Sequence, residues 1–533
     1  MDWTRLVPLT LEWLWALAGG ACLLAAAALA LRPALLPDEE SARRIRGTTT
    51  LALGLVLPAL LAAFKLAQFR RFELMWDSGV LANLVYTFAH GGGWHTSVIA
   101  DQPYLAVHFA FTAGLLAPLV RLWPSTAVLA AAHGLAVGLS AFAAWRLGRR
   151  LAGEVPGLLL VLLLCAHPFF HDVAGSVLDN SIYVLPFFLF GALAWEAGRP
   201  GWAAVCALGL LSAREQMPLL FVGTGVLVVL RARDRRGRLL GAALAAAALA
   251  LLFAELELIR RARIGWDAMK HWEFYAELGG SPSGLLRTAL RRPWAFPLAL
   301  LWPPEKPVRL LRGLLELGFL PAFSGAALVP ALVLWLPQGL AGSGTMYNQL
   351  IGHNAVYVFG PLVWAGAHGL RRLWERFPER RAWLAAGLLL VAGTGFLQGG
   401  RFLLPEGMNP AHWRENGPKA LAFIPPGASV WTDEFFLPHL GMRRRVKSFL
   451  RNADPYFERG LFVPDRVLLS THWIALADSG RRDAVLKVLR ERRFVELYRE
   501  RDLVVLADPA TLGKEGGEPE PLVLGAEVSG QKP

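Results

Sequence analysis

Long apolar runs, separated by short polar or Pro- and Gly-bearing breaks, occupy most of the chain up to residue 400. They fall near 11–32, 48–68, 105–122, 125–145, 155–170, 181–198, 201–213, 217–230, 239–259, 309–322, 325–340, 355–370 and 383–399. A helix needs roughly 20 residues to cross a bilayer, so the pattern predicts about 11 to 13 membrane segments. They read as helices, because backbone exposed to lipid must make its hydrogen bonds within its own segment. Beyond residue 400 the pattern changes to Pro, Gly and charge. The short runs "ASVWTD", "DRVLLS", "FVELYRE" and "DLVVLAD", interleaved with the helical pattern "RRDAVLKVLRERR", predict a small α/β domain.

The predicted fold is thus mainly α, a polytopic transmembrane helical bundle with a small C-terminal α/β domain. Residues 1–47 form an N-terminal anchor helix and loop, and 48–399 the transmembrane domain with a large first external loop at 69–104. Residues 400–512 form the α/β domain and 513–533 a Gly-, Glu- and Pro-rich disordered tail. The first run is longer than the apolar core of a cleaved signal peptide and reads as a retained anchor.

Composition agrees: 55% of the 533 residues are hydrophobic and only 18% charged, which excludes a soluble protein. The net charge of +13 comes mainly from Arg clusters lying between apolar runs, so it reports topology and not nucleic-acid binding. "SARRIRG" at 41–47, "RLGRR" at 146–150, "RARDRRGR" at 231–238 and "RRLWERFPERR" at 371–381 are expected on the cytoplasmic face. Parity then requires that 105–122 be a tilted, re-entrant or interfacial helix. Cys22, Cys165 and Cys206 lie in apolar runs and suggest neither disulfides nor a metal site.

With the Arg loops inside, the unusual polar residues gather on the opposite face: Asp77, Asn83, His90, His95, Asp101 and His108, then His167, His171, Asp172, Asp179 and Asn180. Arg214, Glu215 and Gln216 interrupt about 30 otherwise apolar residues, and Tyr347, Asn348, Gln349, His353 and Asn354 precede a later helix. Ionisable groups at membrane depth are costly and mark sites, so their convergence predicts an outward-opening cavity. Each also has a structural reading. Asp77 either caps a helix starting at Ser78 or does chemistry, His90 before "GGG" marks a helix end, and Arg214 with Glu215 forms either a site or a salt-bridged pair.

Six stretches together resemble a known family: "MWDSGVLANLVYTFAHG", "HFAFTAGLLAPLVRLWP", "HPFFHDVAGSVLDNS", "GLLSAREQMPLLF", "YNQLIGHNAVYVFGPL" and "IPPGASVWTDEFFLPHLGMRRRVKSF". Over about residues 70–475 the chain resembles the bacterial membrane proteins grouped as domain of unknown function 2079, with Arg214–Glu215–Gln216 where Lys, Glu, Asp is usual. That family looks like a branch of the GT-C membrane glycosyltransferases, which share a helical core, an essential acid in the first external loop and a polyprenyl-phosphate sugar donor. The resemblance implies Asp77 as general base. His108, Asp179, Arg214, Glu215, Tyr347 and His353 would bind substrate, with Arg214, and Arg260 or Arg261, on the phosphate. It further implies a polyprenyl-phosphate-linked sugar as donor, an envelope glycan, lipid or protein as acceptor, and a bacterial inner membrane with the C-terminal domain outside. No residue is assigned to a metal, although the chemistry leaves room for a divalent cation. Rival readings are a transporter or flippase, which also gathers charge at interrupted helices, and a non-catalytic envelope assembly protein.

Overall fold

A computed structural model describes residues 3–99, 102–262, 270–342, 352–399, 412–448, 463–471 and 479–512. Among them six helices are long and apolar enough to cross a membrane: Trp3–Leu31, Arg46–Arg70, Thr126–Ala152, Arg235–Ala262, Leu320–Leu340 and Pro378–Gln398. Glu154–Ala166 and Pro168–Gly175, bent by 56° at their junction, make a seventh if taken as one span. The chain is a multi-pass membrane protein. The remaining apolar runs form shorter elements. Val184–Glu196, Pro200–Leu211 and Pro218–Arg231 have 13, 12 and 14 residues. At ~1.5 Å per residue a helix of that size rises about 20 Å, short of the roughly 30 Å hydrocarbon core. The run at 105–122 is likewise not one long helix: after a 3-10 turn at Tyr104–Ala106, it yields the short apolar helix Thr112–Leu122.

Close helix contact explains where the bundle holds together. A Cβ on Gly134 would lie 2.3 Å from the Leu61 carbonyl oxygen and one on Gly138 2.4 Å from Pro58 Cα, so Thr126–Ala152 meets Arg46–Arg70 backbone to backbone. Helix Val356–Arg376, buried over nearly its whole length, runs through the centre. Two buried polar groups support a helix end: Lys65 donates to the Ser176 carbonyl, and Gln68 donates to that of Gly175 at 3.3 Å, closing the Pro168–Gly175 turn.

The Arg-rich loops share one end of the bundle. Arg46 and Arg149 both pair with Glu154, and Arg150 donates to the Glu196 carbonyl. The Glu196 carboxylate bonds His368 at 3.0 Å and lies within electrostatic reach of Arg231. From this end Val184–Glu196, Pro218–Arg231 and Val356–Arg376 run back into the bundle, and Asp179, Gln216 and Tyr357 stand at or beside their opposite termini.

The C-terminal region forms a mixed sheet in the order β4-β3-β5-β7-β6, from β3 (Val430–Thr432), β4 (Val446–Ser448), β5 (Arg466–Ser470), β6 (Val495–Glu500) and β7 (Leu503–Ala507). β3 runs parallel to β4 and β5, while β5–β7 and β6–β7 are antiparallel. The hairpin β1 (His95–Thr96) and β2 (Gln102–Pro103) belongs to the first loop. The domain is clasped to that loop. Leu437–Leu440, the "LPHL" stretch, packs on helix Trp76–Ala89 so closely that a Cβ on Gly79 would lie 2.4 Å from Leu437 Cγ. His439 stacks on Phe69, centroids 4.2 Å apart. Asn83, fully buried, donates to the carbonyls of Gly441 and Arg443 at 3.1 and 2.7 Å while its own carbonyl accepts from Thr96 and Ser97. Thr126 donates to the Pro438 carbonyl at 2.6 Å. The expected disordered tail lies outside the described residues.

Candidate functional site

The site is built on three chain breaks that hydrogen-bond to one another. Helix Pro200–Leu211 stops at Ser212, and Pro218 starts the next, leaving the buried turn 213–217 between them. The Ser212 carbonyl accepts from the N–H groups of Phe111 and Thr112 at 2.6 and 3.1 Å. Asn180 accepts from Ala113 N–H and donates to the Ala213 carbonyl, both at 2.6 Å. Backbone groups stranded by the breaks are thereby satisfied across segments 108–113, 179–181 and 212–216.

The charged side chains are held by this frame. Glu215 places one carboxylate oxygen 2.9 Å from His108 Nδ1 and accepts from Phe109 N–H with the other at 3.1 Å. Arg214 donates from Nε to the Tyr357 hydroxyl at 2.9 Å and from Nη2 to both oxygens of Asp179 at 3.3 Å. Asp179 is fixed in turn by accepting from Ser181 N–H at 2.7 Å. Arg214 therefore pairs with Asp179 while Glu215 bonds His108, and Arg214 and Glu215 are not each other's partners. The third guanidinium nitrogen, Arg214 Nη1, is buried with no hydrogen-bond partner among the described residues. A buried cationic donor without an acceptor is costly and is a natural place for an anion.

Asp77 stands beside this cluster. Helix Trp76–Ala89 begins one residue before it with Met75 at the cap, so Asp77 is not the cap residue but a first-turn acid, placed favourably on the helix dipole. The buried Tyr104 lies within electrostatic reach of Arg214, Asp179, Asp77 and Glu215, so these four predicted site residues share one neighbourhood. His108 joins them through Glu215. Tyr347 and the His353 side chain lie outside the described residues.

A cavity of about 640 Å³ opens from the cluster. Its polar lining is His108, Arg214, Glu215, Gln216, Asn354 and Tyr357. The rest is apolar, with Leu252, Leu256 and Ile259 on one helix and Val333, Leu336 and Leu340 on another. Trp272, Phe274 and Tyr275 come from the segment between them. Asp179 and Asp77 do not line the cavity; Asp179 acts on it through Arg214.

Other expectations change. Arg260 and Arg261 are exposed and both pair with Glu257, at 2.6 and 2.7 Å, because the last turn of their helix points them away from the cavity. His167 and His171 are structural, bonded to the Gly313 carbonyl and the Trp15 indole. His90 ends its helix ahead of Gly91 at φ +79°, the turn reading. Asp101 lies outside the described residues. Among the described residues no three His, Cys, Asp or Glu side chains gather as a metal site. Tyr357 escaped the sequence reading because a Tyr in an apolar run looks like core; its place one turn after the His353–Asn354 break was the available signal.

A mainly helical membrane protein with a largely apolar cavity that carries a polar cluster beside an interrupted helix is the class these features define. The model of the predicted membrane protein family DUF2079 matches residues 71–485, and the chain belongs to that family. A search of the curated proteins returns no match. Among solved structures the chain is similar to ArnT from Cupriavidus metallidurans bound to undecaprenyl phosphate, at 15% identity and TM-score 0.46, covering 87% of this chain and 98% of that one. The apo form of the same protein gives 14% identity and TM-score 0.49, covering 89% and 99%. The Archaeoglobus fulgidus oligosaccharyltransferase in complex with Zn and sulfate gives 14% identity and TM-score 0.37, covering 85% and 73%.

Proposed function

We propose that the chain is a membrane glycosyltransferase that moves a sugar from a polyprenyl phosphate to a cell-envelope acceptor on the extracytoplasmic face. The observation that carries this reading is the two-ended cavity: the buried, unpartnered Arg214 Nη1 at the polar end, continuous with an apolar wall. A phosphate on a long hydrocarbon chain has the same two-ended character, and its charge at membrane depth needs such a donor. In the reaction the acceptor hydroxyl attacks the anomeric carbon and gives its proton to the Asp77 carboxylate. The bond from that carbon to the phosphate oxygen breaks, and the bonding pair leaves with the polyprenyl phosphate, whose added negative charge falls beside Arg214. Asp179 and Tyr357 orient the guanidinium, and Glu215 orients His108. The C-terminal domain, clasped to the helix that carries Asp77, would present or cover the acceptor.

The test is Asp77→Asn in the purified full chain. It should insert, melt as the parent does and still bind polyprenyl phosphate, while sugar transfer falls by a factor on the order of 10³, the scale of lost general-base catalysis. Full transfer by the Asn variant would remove Asp77 from the chemistry.

A further inference from the structure

Between the spans Arg235–Ala262 and Leu320–Leu340 the chain forms an arm at 282–302, built from helices Pro282–Arg291 and Ala295–Leu301. At ~1.5 Å per residue the ten-residue helix rises about 15 Å, half of the roughly 30 Å hydrocarbon core, and none of its residues is buried. It is therefore neither a span nor part of the packed bundle. At about 100° per residue, Leu285, Leu286, Ala289 and Leu290 share one side of it and Arg287, Thr288 and Arg291 the other. Leu285 and Phe296 line the cavity, and a Cβ on Gly339 would lie 2.8 Å from Leu300 Cδ2, which fixes the arm's inner side. The outer side carries Leu286, Leu290, Trp294, Leu298, Leu301 and Trp302, all more than 60% exposed.

Beside these apolar groups stand Arg287, Arg291 and Arg292, also exposed. The chain has no Asp or Glu between Glu277 and Glu305, and none of the three arginines makes a hydrogen bond or ion pair among the described residues. Exposed arginines elsewhere do find acids: Arg44 pairs with Glu40, Arg260 and Arg261 with Glu257, and Arg371 with Glu375. Water around the arm would solvate the guanidinium groups but leave six large apolar side chains wet. Hydrocarbon would cover those side chains and strand the charges. The headgroup layer of a bilayer accommodates both, with leucine and tryptophan dipping towards the acyl chains and arginine among the phosphates. Three uncompensated positive charges also select lipids of net negative charge. We propose that the arm 282–302 docks in the headgroup layer of the leaflet beside the cavity, where Arg287, Arg291 and Arg292 hold anionic phospholipids. The inference needs only a membrane-spanning chain and does not rest on the glycosyltransferase reading.

The experiment places a photoreactive residue in the full-length protein as Leu290→p-benzoylphenylalanine and reconstitutes it in nanodiscs of equal phosphatidylglycerol and phosphatidylcholine. Lipid adducts are identified by mass. Phosphatidylglycerol adducts should exceed phosphatidylcholine adducts by about threefold or more. With Arg287→Gln, Arg291→Gln and Arg292→Gln together, the two should become equal and the melting temperature should stay that of the parent, since no partner is lost. The corresponding three Arg→Lys changes should keep the preference, as should high dilution of the protein in the bilayer. Equal adducts in the parent would overturn the proposal, and so would an unchanged preference in the Gln variant. Absence of any lipid adduct would place the arm in water or against another protein and overturn it too. If a few mol % of polyprenyl phosphate took over the adduct, the arginines would serve that lipid and not bulk phospholipid, again overturning the proposal.

Discussion

Replacing Arg214 by Gln separates the two roles the structure gives that side chain. Arg214 is 5% exposed, and its partner Asp179 is 7% exposed. Removing the guanidinium deletes the bonds to Tyr357 and to both Asp179 oxygens, so the buried carboxylate loses the Arg214 charge that faces it. Breaking one side of a buried pair costs about 3–5 kcal/mol. Arg214→Gln should therefore melt well below the parent. Arg214→Gln with Asp179→Asn removes both charges, and the amide oxygen of Asn can still accept from Ser181 N–H, so most of that loss should return. Phosphate affinity should not return. A charged hydrogen bond contributes roughly 1.5–3 kcal/mol, so the double variant should bind polyprenyl phosphate about 10- to 150-fold more weakly. Thermal melting in detergent reads the first effect and equilibrium binding of the lipid phosphate the second. A double variant that regains stability and also binds with parental affinity would show that Arg214 Nη1 does not hold the phosphate.

Two further outcomes follow from the C-terminal domain. Gly79→Ala drives a Cβ to 2.4 Å from Leu437 Cγ and 3.0 Å from the Leu437 carbonyl carbon, and should cost about 1–3 kcal/mol. The C-terminal domain should become more susceptible to protease, and unchanged cleavage would contradict the clasp at that helix. Asp433 is fully buried, and burial pushes its carboxyl from 3.8 up to about 7, against the N–H groups of Phe436 and Phe435 and that of Ser470. The folded state thus holds its proton more tightly than the unfolded chain does. The associated stability is present below about pH 4 and is lost as pH rises through about 7, on the order of 4 kcal/mol in all. The parent should lose melting temperature between pH 5 and 8 more steeply than Asp433→Asn; parallel profiles would refute the assignment.

The amino-acid pattern exposed those features in which polarity interrupts an apolar run. "AREQMP", the segment 105–122 and the turn at Asp179 all stand out because a charged group or a proline ends a helix where lipid would favour continuation. Their meeting around Tyr104 and the cavity follows from those breaks. The small mixed α/β domain was legible from alternating apolar strands, but its strand order was not, since β5 pairs with the distant β3 and β7 and not with its chain neighbours β4 and β6. Glu255 was hidden for the opposite reason. One acid near the end of a long apolar run reads as a tolerated charge, and only the packing of helix Arg235–Ala262 shows that it faces protein. Lys65 was hidden in the same way, its ammonium spent on a helix end more than a hundred residues distant. The "PHL" stretch reads as a motif in sequence, whereas in space it is the clasp between domain and helix, with His439 stacked on Phe69. Arg260 and Arg261 show the limit of charge reading, because a basic pair at a helix end is satisfied locally by Glu257.

Photocrosslinking of the purified chain with a photoreactive polyprenyl phosphate asks whether the cavity holds the lipid. The label should fall on the cavity walls, on Leu252, Leu256 and Ile259 and on Val333, Leu336 and Leu340. Unmodified polyprenyl phosphate should compete it away, and Arg214→Gln with Asp179→Asn should weaken it strongly. Label spread over the exposed faces of Trp3–Leu31 and Arg235–Ala262, indifferent to competitor and to Arg214, would contradict a lipid-phosphate site in this cavity.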